Sequence, residues 1–417
     1  MDELLLKRIA FQSVTFMILV ITLSYALQRY QAITIEASNK AINNNIGNLD
    51  SSQTSKENVN GVSLEEPVND NYPLFYGVME EVDYNIIEQL GDCYLIIKKP
   101  EGISNTCELE DLFLTKSIRL TMTGLFNESL NSEMIGRVYN NEIFLGEPKY
   151  TETTTLEEDS SDGTMQPVIT RNYGNDIVHG ITIDTLCDNT YVNSVEVQIE
   201  LNNVYVHQLK EDDNYYYIDL KNPRDVYDKI LVIDAGHGGK DAGALSANEK
   251  FYEKDINLDI LLQLKEMLNQ ENIKVYYTRL SDEKVYLRPR VELANAVDCD
   301  FFISIHCNAS TVSSPNGTEI LYYDTDFKGI KAKDLAQTVS KELGKTTAIK
   351  NRGLVQKKDN EIFILKNATV PAILIEVGYM TNNNDMTYLS REENRRAVAE
   401  GIYNGIMVAY ETLMMEN

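Results

Sequence analysis

Apolar and polar positions divide the chain into four stretches. Ile9 through Leu27 carries no charge and is long enough to cross a bilayer, about 20 residues at 1.5 Å each. From about residue 36 to 72 the composition turns to Asn, Ser, Asp, Glu and Lys with few large apolar side chains, too few to bury the surface that ordering requires. Between about 73 and 227 come short β-prone runs, Cys93 to Lys98, Ser117 to Thr123, Ser194 to Leu201 and Tyr215 to Leu220, broken by Gly, Asn and Asp. They predict an all-β sandwich, interrupted by an acidic, Ser/Thr-rich loop near 151 to 165. The last stretch alternates: buried-strand runs at 229–233, 301–305 and 371–375 and a strand at Thr318 to Tyr323 are interleaved with helices at about 254–269 and 329–343. That alternation predicts an α/β domain, a central, mostly parallel sheet flanked by helices.

The domain organisation expected is therefore a membrane anchor or signal segment (1–30), a flexible polar linker (31–72), a β-rich domain (73–227) and an α/β domain (228–417). Lys7 and Arg8 precede the apolar segment and only Arg29 closely follows it, so the positive-inside bias puts the N-terminus in the cytoplasm and the rest outside. Ser24 and Ala26 also offer a small-x-small cleavage site and hence a secreted product. The length of the apolar run and the bulk of Tyr25 and Leu27 favour an uncleaved single-pass helix.

Charge and cysteine content narrow the function. A formal net charge of −26 and a pI near 4.6 exclude sequence-independent attachment to nucleic acid, which needs clustered Lys and Arg. Five cysteines, Cys93, Cys107, Cys187, Cys299 and Cys307, are too sparse for a dense disulfide framework and leave room for one bridge in the β region.

Candidate chemistry concentrates in four residues. His237 lies in Asp-Ala-Gly-His-Gly-Gly, Glu253 in Tyr-Glu-Lys-Asp-Ile-Asn-Leu, His306 in Ser-Ile-His-Cys-Asn-Ala and Glu376 in Leu-Ile-Glu-Val-Gly-Tyr. His237, His306 and Glu376 each follow a strand run within a few residues, at the carboxyl edge where open α/β sheets build their sites. Glu253 precedes Ile256, Ile260, Leu264 and Met267 on one helical face, so its carboxylate points to the sheet and needs a partner. Alone, it could equally be a first-turn Glu favoured by the helix dipole. Two imidazoles and a carboxylate suit a catalytic zinc, and a further carboxylate suits a general base. The other histidines, His179 and His207, lack such surroundings, and no dinucleotide or P-loop glycine spacing is present. Cys307, beside a candidate ligand, faces the opposite side of its strand and reads as a buried small residue.

Six stretches in order carry a family resemblance: Val-Ile-Asp-Ala-Gly-His-Gly-Gly-Lys-Asp-Ala-Gly-Ala, Glu-Lys-Asp-Ile-Asn-Leu, Val-Tyr-Tyr-Thr-Arg, Leu-Arg-Pro-Arg-Val-Glu-Leu-Ala-Asn, Phe-Ile-Ser-Ile-His-Cys-Asn-Ala and Pro-Ala-Ile-Leu-Ile-Glu-Val-Gly-Tyr-Met-Thr-Asn. The segment from about 229 to 413 resembles the catalytic domain of zinc-dependent N-acetylmuramoyl-L-alanine amidases, which cut peptidoglycan between the lactyl group of muramic acid and the L-alanine of the stem peptide. The resemblance implies a single α/β domain, Zn²⁺ held by His237, Glu253 and His306, and Glu376 as catalytic acid/base. Ala235 stands where the family usually has proline and Cys307 where alanine is common; neither departure removes a ligand or the base.

Arg290, Asn295 and Asn308 fall in the matching stretches as supporting or substrate-contacting residues. Some family members carry a regulatory helix before the catalytic glutamate. Here the interval is filled by the strand, the helix and a short turn at Arg352-Gly353, which predicts an open cleft. The expected partners are peptidoglycan and, through the N-terminal helix, the membrane; the run Tyr-Tyr-Tyr-Ile-Asp-Leu weakly resembles the end of β modules that target some amidases to the envelope. The competing functions are another zinc peptidase acting on stem peptides and a non-catalytic wall-binding scaffold, the latter disfavoured because all four site residues are present.

Overall fold

The computed structural model describes residue 79 and residues 81–158, 165–187, 192–358 and 361–414. The apolar segment 9–27 and the polar stretch 36–72 lie outside them. Among the described residues no helix is long and apolar enough to cross a membrane.

The β-rich region contains strands β1 (Cys93–Lys98), β2 (Gly102–Leu112), β3 (Ser117–Phe126), β4 (Ile135–Tyr139), β5 (Glu142–Phe144), β6 (Thr151–Glu158), β7 (Met165–Asn172), β8 (Val178–Cys187), β9 (Val192–Leu201), β10 (Val206–Glu211) and β11 (Tyr215–Lys221). One antiparallel sheet runs β10-β11-β1-β4-β5 and a second β2-β3-β9-β8. Period-two alternation makes them a sandwich: Leu95 and Ile97 of β1 and Ile218 of β11 share a core with Leu120 and Met122 of β3 and Val195 and Val197 of β9. The stretch expected as an acidic loop is instead largely strand. Thr151–Glu158 pairs in register with Met165–Asn172 as a two-stranded ribbon. The three cysteines of this region are free thiols, so the possible bridge is not formed.

The α/β domain holds β12 (Ile230–Ala235), α1 (Glu253–Leu268), β13 (Lys274–Tyr277), α2 (Leu287–Ala296), β14 (Phe301–Asn308), β15 (Thr318–Tyr322), a small hairpin of β16 (Asp326–Phe327) and β17 (Ile330–Lys331), α3 (Ala332–Thr346), β18 (Asn351–Gln356), α4 (Phe363–Asn367), β19 (Ala372–Tyr379), α5 (Asn383–Leu389) and α6 (Glu392–Thr412). The sheet order is β13-β12-β14-β19-β15-β18, parallel except where β15 meets β19. It is therefore the mixed, mostly parallel sheet that continuous apolar strands require, buried on both faces. Leu231, Ile233 and Ile303 meet α1, α3 and α6 through Ile260, Val339 and Ile402 on one side. Ile230, Val232 and Phe302 meet α2 and α4 through Val291 and Leu365 on the other.

That second core also takes in Val204, Phe113 and Leu114 of the β-rich region. The Phe113 ring packs edge-on against Tyr276 of β13, with centroids 5.4 Å apart. The sandwich thus rests against α2, the helix that carries Arg290. The Arg352-Gly353 segment, expected as a turn, is part of the edge strand β18, whose pairing with β15 shifts register there.

Candidate active site

Three neighbouring strands, β12, β14 and β19, bring the polar residues to one edge of the sheet. His237 follows β12, as the sequence implies. His306 and Glu376, expected just beyond their strands, lie within β14 and β19 near their carboxyl ends and are direct ladder partners. Apolar patterning stops where the chemistry begins, whereas backbone pairing continues past it.

The His237 turn is held against its own preference. His237 has φ +64°, followed by Gly238 at +133° and Gly239 at +58°, left-handed conformations that disfavour a side chain. Buried arginines lock it. Arg290 Nη2 donates to the His237 carbonyl at 2.7 Å and Nη1 to the Ala235 carbonyl at 2.7 Å. Arg279 donates to the carbonyls of Ala235, Gly236 and Lys254, at 2.9, 2.9 and 2.8 Å, tying the end of β12 to the start of α1. Arg290 is itself anchored on Asp234 at 2.5 Å. Asp234 further accepts the hydroxyls of Thr278 at 2.6 Å and Ser304 at 2.5 Å. Burial alone would raise the Asp234 carboxyl, but Arg290 and these donors hold it below the usual range.

Glu253, only 4% exposed at the first residue of α1, points to the sheet as its helical face demands. Its Oε1 lies 3.2 Å from His237 Nε2 and 3.0 Å from His306 Nδ1. One donor atom from each of His237, Glu253 and His306 lies within 4.8 Å of the others. The backbone N–H groups of Ala244 and Cys307 donate to Glu253 at 2.8 and 3.0 Å. Burial pushes this carboxyl up, yet the two imidazoles outweigh it and keep it well below the usual range. This is a ready-made set of two nitrogens and one anionic oxygen, the donor chemistry of a catalytic zinc site.

Residues that sequence reasoning did not single out orient this set. Asp241 Oδ1 sits 3.0 Å from His237 Nδ1, leaving Nε2 toward Glu253, the arrangement by which metal-ligating histidines are oriented. Fully buried Asn257, one turn after Glu253, reaches its Oε1 at 3.4 Å. Both lie in the quoted motifs, four residues after His237 and Glu253, and that spacing was the available signal. Cys307 is 3% exposed within the apolar core, as its strand position implies, and burial pushes its thiol far up.

Glu376 neighbours this set as the ladder partner of His306 but makes no side-chain hydrogen bond to it. Its Oε2 is buried with no hydrogen-bond partner. Burial pushes its carboxyl up to about 7, with Glu253 and Glu319 adding and His306 opposing. A carboxylate poised near neutrality with a free oxygen is what proton transfer requires.

Of the supporting candidates, Arg290 is structural in the way described. Asn295 is remote from the cluster: it clamps α2 to the segment before β19 through the Asn367 carbonyl and the Thr369 N–H, both at 2.9 Å. Asn308 borders the site and donates to Glu319 Oε2 at 3.2 Å. His179 stacks on Tyr173 and His207 sits in β10, both in the sandwich. The side chains of His237 and His306 remain 25% and 17% exposed, and among the described residues the interval before Glu376 carries only the basic elements of the domain.

An α/β domain whose sheet edge gathers a trio able to hold a metal and, next to it, a buried carboxylate without a partner is the class these features define. A family model described as N-acetylmuramoyl-L-alanine amidase matches residues 231–408. The chain is 34% identical over 183 residues to the uncharacterised protein YqiI of Bacillus subtilis, covering 44% of this chain and 85% of that protein. It is 32% identical over 193 residues to the germination-specific N-acetylmuramoyl-L-alanine amidase of the same organism, covering 43% and 78%. Against the N-acetylmuramoyl-L-alanine amidase LytC, also of Bacillus subtilis, identity is 33% over 191 residues, covering 46% and 37%. Among solved structures, the catalytic domain of CwlV, an N-acetylmuramoyl-L-alanine amidase from Bacillus (Paenibacillus) polymyxa, is 35% identical, covering 44% of this chain and 98% of that one, with a TM-score of 0.41. The chain belongs to the N-acetylmuramoyl-L-alanine amidase family and is a peptidoglycan hydrolase.

Proposed function

We propose that the protein hydrolyses the amide between the muramic acid lactyl group and the L-alanine of the stem peptide, with zinc held by His237, Glu253 and His306 and with Glu376 as acid/base. One observation carries this reading: three donor atoms within 4.8 Å of one another stand beside a buried carboxylate oxygen that has no partner. When bound, zinc supplies Lewis acidity toward the carbonyl and toward water. Glu376 accepts the proton of the attacking water and returns it to the departing alanine nitrogen. Asp241 and Asn257 hold His237 and Glu253 in the required orientation, while Arg279 and Arg290 fix the turn.

Purified sacculi digested with this enzyme are expected to release intact peptides beginning with L-alanine, and a chelator is expected to stop their release. Products that retain L-alanine on the glycan, or release unaffected by the chelator, would count against the proposal.

Gly236 gives a second test. A Cβ there would stand 2.2 to 2.6 Å from three atoms of the His306 ring, so the imidazole must move. Gly236→Ala is expected to fold but to bind zinc at least 10-fold more weakly, the scale seen when a ligand's surroundings are disturbed. Metal content after dialysis against buffered zinc measures it; wild-type zinc retention would exclude His306 as a ligand in its present position.

The proposed setting is the outer side of the membrane, with residues 9–27 as anchor, the polar stretch as a tether into the wall and the sandwich as an envelope-facing module. The uncharged apolar run and the similarity to proteins named as N-acetylmuramoyl-L-alanine amidases support it.

A further inference from the structure

Beyond Glu376 the site continues as a row of polar residues across the sheet. His306, Glu376 and Glu319 are successive ladder partners on β14, β19 and β15. The next strand, β18, supplies Arg352 at a register shift: Thr318 pairs with Asn351 and Glu319 with Gly353, so Arg352 is the extra residue. Bulges of this kind re-aim a side chain. Here the surroundings are shaped to receive it. Gly317, at φ +112°, has no side chain; a Cβ would lie 2.8 Å from Arg352 Cγ. The guanidinium lies over the Tyr379 ring, 5.6 Å from its centroid.

Glu319 fixes one edge of that guanidinium. Its Oε1 accepts Arg352 Nε at 2.5 Å, and its Oε2 accepts from Asn308 at 3.2 Å and from the Tyr379 hydroxyl at 3.3 Å. Arg352 Nη1 has only a long contact to the Asn316 carbonyl, 3.4 Å, and the side chain is 34% exposed. An ordinary surface ion pair contributes little and needs no such bulge, glycine and aromatic support. An arginine held side-on by a carboxylate keeps its terminal nitrogens in a planar fork suited to a second carboxylate.

The direction of the row identifies whose carboxylate. Glu376 gives its proton to the leaving nitrogen, so the leaving peptide begins beside Glu376. The polar row offers that peptide a path away from the two histidines, toward β15 and β18. Strands are about 4.8 Å apart, which puts Arg352 roughly 10 Å from Glu376 along the sheet, less the reach of a guanidinium that leans back onto Glu319. Two extended residues span about 7 Å.

We propose that Arg352 binds a free carboxylate on the second residue of the leaving peptide and makes the enzyme prefer acidic over amidated stem peptides. The inference rests on the reading of Glu376 as the group that protonates the leaving nitrogen. Glu319 is the positioning residue that presents the fork.

The test uses two synthetic muramoyl dipeptides that differ only in carrying a carboxylate or a carboxamide on the second residue. The full-length wild-type enzyme is expected to favour the carboxylate roughly 10-fold or more in kcat/KM, the scale of a charge-assisted pair. In Arg352→Gln that preference falls to within about 2-fold through a raised KM on the acidic substrate. Turnover of the amidated substrate stays at the wild-type level, which also shows that the variant folds. Equal wild-type rates on both substrates, or equal loss on both in Arg352→Gln, overturn the inference while leaving the amidase reading intact. Hydrolysis of neither substrate by the wild type overturns both.

Discussion

Glu376→Gln is expected to lower turnover on peptidoglycan by about 10²- to 10⁴-fold, the range for losing a positioned acid/base, while zinc content stays at the wild-type level. Glutamine keeps the shape of the side chain but cannot accept a proton at the atom that has no other partner. None of the hydrogen bonds to His237, Glu253 or His306 involves Glu376, so the metal-binding trio is left unchanged. His306→Ala should lose zinc and turnover together, and the pair of variants separates the base from the ligands. Near wild-type turnover in Glu376→Gln would remove Glu376 from the chemistry.

The same substitution has a signature in the metal-free protein. The Glu376 carboxyl is pushed from its ordinary 4.5 up to about 7, mainly by burial. Between those values the folded state holds a proton that the unfolded chain has released, so this group makes stability fall as pH rises through that window. Metal-free Glu376→Gln should therefore melt at the same temperature as metal-free wild type below about pH 4.5 and higher than it above about pH 7. A difference that does not change with pH would show that burial is not what perturbs this carboxyl.

Much of this architecture follows from period alone. Cys93 to Lys98 is β1 residue for residue, and the apolar stripe beginning at Ile256 delivers α1 with Glu253 at its first position. What period could not resolve has physical reasons. The Thr-rich strand β6 belongs to a two-stranded ribbon whose residues 151–155 are exposed, so no buried face imposes alternation. Arg352-Gly353 reads as a turn because glycine at φ +88° interrupts the pattern, yet edge strands accommodate bulges. His306 and Glu376 were found by motif, and their pairing across β14 and β19 depends on strand order, which a one-dimensional pattern does not contain. Asp234 directly follows the apolar run 229–233, and its buried contacts with Arg290, Thr278 and Ser304 come from elements 44 to 70 residues away. Asn295 shared a matching stretch with Arg290 but faces the other end of α2, where it serves packing rather than the site.

The Asp234–Arg290 pair carries the second large prediction. The two side chains are 1% and 2% exposed, and removing either partner leaves the other as an uncompensated buried charge, a loss of about 3–5 kcal/mol. Asp234→Leu and Arg290→Met should each show that loss in urea unfolding. The double variant should be less destabilised than the sum, because no lone charge remains and residues in contact are not additive. Activity should behave differently. Arg290 also donates to the carbonyls of Ala235, His237 and Val285, and no apolar replacement restores those bonds. The left-handed His237 turn then loses its main tie, so the double variant should regain much of its stability but neither its zinc affinity nor its turnover. If the double variant recovered both, the pair would be a packing element alone; if each single variant lost less than about 1 kcal/mol, the pair would be hydrated and its buried role wrong.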